Sequence, residues 1–156
     1  MPISSSRGVI ERVFAVQERR ARAYHELHSS FASTEDEMVQ RMTVERVTRE
    51  FQKLSQEIRD MEGHEDEVIA GILKGIQKEE AEKLRLTVEI HGLKLSGMLD
   101  EEGSIGEENH CQHHGEVSPH EVKAALAEAY QRLEQCIQTI QEYLEELRYI
   151  NMNLSQ

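Results

Sequence analysis

The 156 residues carry 18 basic and 30 acidic side chains, for a net charge of −12, and 38% are hydrophobic with no tryptophan. One domain is the default at this length, and it can bury roughly two-thirds of its unfolded surface. The charge weighs against sequence-independent nucleic-acid binding, where Lys and Arg must neutralise phosphates, and Cys111 and Cys136 cannot build the disulfide framework of a small secreted protein.

The first six residues lack the apolar core of a signal peptide. No run of about 18 apolar residues is present, so no membrane span is expected. The expected location is intracellular, in a reducing compartment. Pro2 and Pro119 are the only prolines, which leaves little to punctuate the chain for β structure.

Ser4 to Ser6 are placed to cap a first helix running to about Phe31. Its apolar seam is Ile10, Val13, Gln17, Ala21, Tyr24, Leu27 and Phe31, stepping by three and four, with Gln17 as the weak member. Thr34 and Glu37 make a capping-box pattern for a second helix, predicted to end near Glu62. Val47, Phe51, Leu54, Ile58 and Met61 form the most regular seam in the chain. Met38 and Met42 extend it toward the N-terminus, across an irregular step that allows a kink or a second start near Thr43. Arg7, Arg12, Arg19, Arg20 and Arg22, then Arg41, Arg46, Arg49 and Lys53, read as solvated faces paired with the glutamates between them. Gly63 supplies a left-handed stop, and so short a turn makes the second and third helices antiparallel neighbours.

The third helix, over residues 65–98, is the longest expected and opens on Glu65, Asp66 and Glu67, where the helix dipole favours acids. Gly71 and Gly75 share a face and would let a neighbour approach closely. The first half carries one seam of Ile69, Leu73 and Ile76. The second half carries two: Leu84, Val88, Leu95 and Met98 on one face, and Leu86, Ile90 and Leu93 on another. A helix apolar on two sides needs cover on both. Leu86, Ile90 and Leu93 are therefore the candidate surface for a partner protein, with cover by the first and fourth helices as the alternative.

Residues 100–117 are acidic and glycine-containing, and read as a flexible surface loop. His110, Cys111, His113 and His114 in it carry the imidazole and thiolate donors that suit zinc or copper. A structural site usually draws four ligands from two separated elements, so a polar loop is the preferred reading and no cofactor is expected. Ser118, Pro119 and Glu121 start a fourth helix. Its seam is Val122, Leu126, Ala129, Leu133, Cys136, Ile140, Leu144 and Leu147, and residues 151–156 are expected to fray.

The expected fold is all-α, one domain over residues 5–150. Its four long helices form either an up-and-down antiparallel bundle or an elongated hairpin arrangement, and a homodimer would show the same periodicity. No nucleophile elbow, kinase set or dinucleotide fingerprint is present, so no catalytic residues are assigned and an enzyme is not expected.

The stretch from Val13 to Tyr24, the Arg46-Val47-Thr48-Arg49-Glu50-Phe51 segment and Leu84-Arg85-Leu86-Thr87-Val88 resemble one family. It is the B-type "required for excision" domain, named for a gene of DNA excision repair. Leu144, Leu147, Arg148 and Tyr149 also fit that domain, so the resemblance runs from about Val9 to Tyr149. It implies an all-helical, non-catalytic accessory factor linked to excision repair and hence to the nucleus, and the leading reading of the chain is a helical protein–protein interaction module in that role. The alternative is a structural helical component of a cytoskeletal or ciliary assembly.

Overall fold

A computed structural model of the chain describes residues 2–33, 36–61, 67–103 and 119–154. The fold is all-α: α1 (Pro2–Ser33), α2 (Glu37–Met61), α3 (Glu67–Gly103) and α4 (Pro119–Leu154), with no strand among the described residues. His110, Cys111, His113 and His114 lie outside them.

The chain divides into two compact units, one of residues 1–78 with 140–156 and one of residues 79–139. In the first unit, α1 and α2 run antiparallel: Arg19 pairs with Glu57 and Glu50, Arg46 with Glu26, and Ser30 with Thr43. Its core joins Val9, Ile10, Val13 and Val16 of α1 to Leu54, Ile58 and Met61 of α2, with Ile69, Ile72, Leu73 and Ile76 of α3 and Leu147 of α4. Ile150 and Leu154 pack against the same cluster, which is why α4 continues to Leu154, into the stretch expected to fray.

The second unit is a helical hairpin. Glu82 pairs with Arg132, Lys94 lies over the Tyr130 ring, and Gly97 faces Val122, an order that only antiparallel helices give. Leu86 and Ile90 are buried with Ala129 and Cys136, and Leu126 and Leu133 pack on them.

α2 starts two residues later than the capping box at Thr34 implies. Asp36 is the cap: its Oδ1 accepts from the Met38 amide at 2.9 Å and the Val39 amide at 3.4 Å, and its carbonyl accepts from the Gln40 amide at 3.1 Å. From there the helix is unbroken to Met61, and its buried row reads Gln40, Thr43, Val47, Phe51, Leu54, Ile58, Met61. The irregular step at Met42 is therefore a change of residue type, not a kink. Thr43 stays inward because its hydroxyl donates to the Val39 carbonyl at 3.0 Å and accepts from Ser30 at 3.2 Å. Met38 and Met42 face away, 65% and 61% exposed.

Gly75 does meet a close neighbour. A methyl group there would overlap the Tyr143 ring, whereas one on Gly71 would meet nothing within 4 Å. The expected close approach holds at one of the two glycines.

Candidate functional site

The α1–α2 pair holds an open cleft of about 360 Å³, lined by Arg19, Arg22, Ala23 and Glu26 of α1 and Arg46, Val47 and Glu50 of α2. Its floor is apolar because Ala23 and Val47 are both core positions. Its walls are charged because the flanking positions of each helix point outward at the seam. Arg19 bridges Glu57 at 2.9 Å and Glu50 at 3.4 Å, and the Glu57 hydrogen bond holds the guanidinium above its ordinary pKa. Arg46 reaches across to Glu26, and Arg22 stands 3.9 Å from Glu18. The expected pairing with glutamates is what Arg7, Arg19, Arg22, Arg41, Arg46 and Arg49 show, within a helix or across the pair.

Arg20 departs from that pattern by being buried. It was grouped with the solvated cations, yet it is 1% exposed. Its Nη1 donates to Gln17 Oε1 at 2.7 Å, and its Nη2 donates to Gln77 Oε1 at 2.6 Å and Ser55 Oγ at 3.1 Å. The guanidinium carbon lies 5.8 Å from the Phe51 ring centroid, and Phe51 itself packs edge-on against Tyr24. Gln77 Nε2 in turn donates to the Ser55 carbonyl at 3.0 Å. Burial of a cation is tolerated only where hydrogen bonds replace its water, and here three helices supply them. The sequence signal was the gap it fills: the α1 core runs Val13, Val16, Arg20, Ala23, Leu27, so Arg20 stands where the expected seam put Gln17 and Ala21.

The α3 row expected to meet a partner packs largely inside the hairpin. Leu86 is 1% exposed and Ile90 5%, both covered by α4 residues of the hairpin, and Leu93 is half-buried. Leu84, Val88 and Leu95 of the other row are half-buried too. Sequence showed two rows but not which one α4 would cover.

Polar chemistry in the hairpin is structural. Arg85 holds Glu82 and Glu89, and the Arg85 hydrogen bond keeps the Glu82 carboxylate below its ordinary pKa. The Cys136 thiol is pushed up to about 11, first by burial and then by its hydrogen bond to Glu79, so it stays protonated at neutral pH. Among the described residues, no three His, Cys, Asp or Glu side chains are grouped to hold a metal ion, and no helix is long and apolar enough to cross a membrane.

No curated protein and no solved structure matches the chain. The model of one family, DNA repair REX1-B, matches residues 8–94. That span takes in the α1–α2 cleft, the Arg20 network and α3 as far as Lys94, and stops short of α4, a narrower reach than the resemblance drawn to Tyr149. It covers more than half of the 156 residues, and the chain belongs to the DNA repair REX1-B family.

Proposed function

We propose that the chain is a non-catalytic helical module that recruits or holds another protein during DNA repair, and that the α1–α2 cleft is where that protein is gripped. The observation that carries this reading is the cleft's composition. An apolar floor of Ala23 and Val47 walled by Arg19, Arg22, Glu26, Arg46 and Glu50 is the chemistry of a protein-binding groove. Interfaces favour arginine and apolar contact at their centres and polar groups at the rim. The cleft also lies wholly inside the span that the family shares.

The three arginines are matched by carboxylates, so the cleft has no surplus charge to attract a polyanion. A protein segment offering both signs and a small apolar side chain satisfies it better than a phosphate backbone. The test is affinity capture from cells before and after DNA damage, with the parent chain and with Arg22→Glu combined with Arg46→Glu. Capture of repair proteins by the parent and their loss with the variant supports the reading. Capture of only cytoskeletal or ciliary proteins, or of repair proteins equally by both, overturns it.

A further inference from the structure

The outer face of α2 carries a pattern that the cleft does not use. Met38 and Met42 lie opposite the buried row of that helix, with Val39 beside them at 45% exposure. An amphipathic helix needs only its inward stripe, so two methionines on the far side call for cover. Methionine's flexible thioether is suited to such contacts.

The charges around them say what covers them. Glu37, Arg41, Glu45 and Arg49 step by four along the exposed side of α2. Read backward, that row is Arg, Glu, Arg, Glu. Two copies laid antiparallel therefore set every acid against a base, whereas a parallel pairing would set like against like. We propose that a second copy of this chain docks antiparallel on the outer face of α2, with Glu37 facing Arg49, Arg41 facing Glu45, and the two Met42 side chains meeting near the two-fold axis. Such an interface is isologous, which is the commonest symmetry of soluble oligomers.

Among the described residues these charges form long, exposed pairs, Arg41–Glu37 at 3.8 Å and Arg49–Glu45 at 3.9 Å. A second copy turns two isolated pairs into one alternating network without breaking a compact contact. The location also suits self-association. Residues 1–61 hold ten basic and ten acidic side chains, so the whole net charge of −12 belongs to the remainder. Two copies meeting through α2 approach through their neutral segments.

The row from residue 37 to 49 is about 18 Å long, and a strip of that length falls well short of the roughly 800 Å² per partner of a standard interface. The dimer is therefore weak and sensitive to salt. It does not depend on the repair reading, because it is measured on the purified chain alone.

Sedimentation equilibrium of the purified full chain from about 10 µM to about 1 mM, where a weak dimer becomes populated, provides the test. The average mass should rise from 18.0 kDa toward twice that value at low salt and fall back when salt is added. Glu37→Arg with Glu45→Arg should abolish the rise, and so should Met42→Glu. An equimolar mixture of the first variant with Arg41→Glu, Arg49→Glu should restore it. All these positions are exposed, and circular dichroism checks that each variant is folded; should a double variant unfold, Met42→Glu and the salt dependence decide. A parent that stays at 18.0 kDa throughout overturns the proposal. Association that ignores Met42→Glu, or folded partners that fail to complement, overturns it equally.

Discussion

Gly75 and Gly71 sit one turn apart on α3 and make opposite demands. Alanine at Gly71 meets open space and gains helix propensity, so Gly71→Ala should stabilise the chain by about 0.5–1 kcal/mol. Alanine at Gly75 drives into the Tyr143 ring, so Gly75→Ala should lower the melting temperature, and Tyr143→Leu in the same chain should recover part of the loss. Equal effects of the two alanines would mean that α4 does not pass α3 at Tyr143. Arg20 makes the same kind of contrast with its neighbour Arg22. Arg20→Ala takes the donor from Gln77 Oε1 and Ser55 Oγ inside the core, a loss of about 3 kcal/mol or more in urea unfolding. Arg22→Ala should be nearly silent, since its side chain is exposed and Glu18 stands 3.9 Å from it. Lysine at position 20 should not substitute, because one ammonium cannot reproduce a fork whose two arms serve different acceptors. If Arg20→Ala and Arg22→Ala unfold alike, the network contributes nothing.

At the scale of the helix, register decides which residues matter. Phe51 is buried between Tyr24 and Arg20, so Phe51→Ala should cost about 3–5 kcal/mol. Met42→Lys on the opposite face should leave the thermal melt where it was. The reverse ranking would mean that α2 is rotated. Ile90 gives the corresponding test on α3: Ile90→Glu buries a carboxylate between Leu86 and the α4 side chains, and the melt should drop by more than ten degrees. An unchanged melt would return that row to the surface.

These positions also mark how far sequence reaches. The α2 row from Val47 to Met61 was legible because five apolar residues at strict three–four spacing leave one face to choose. The same rule failed a turn earlier, where it preferred Met38 and Met42 to Gln40 and Thr43. Hydrophobicity ranks methionine inward, and the Ser30 hydroxyl that lets Thr43 turn in belongs to another helix. Arg20 was missed for the same reason, since its acceptors Ser55 and Gln77 are 35 and 57 residues away. On α3 the two rows were visible, and the choice between them rested on where α4 returns. The α1–α2 cleft was invisible to the pattern. Its charged walls were correctly read as ion pairs, but a cavity is a property of the space between two helices.

For the molecule as a whole, charge and family membership point the same way. The first 61 residues are neutral and arginine-rich, the family span takes in all of them from residue 8 on, and that stretch holds both the cleft and the exposed Met38 and Met42. The acidic remainder weighs against contact with a phosphate backbone, in keeping with the protein partner proposed for the cleft. The most direct measurement is the rate of ultraviolet-lesion removal in cells lacking the protein, restored either with the parent chain or with Arg22→Glu, Arg46→Glu at matched abundance. The account predicts that the parent restores removal and the variant does not. Equal removal in all three, or full rescue by the variant, would contradict it.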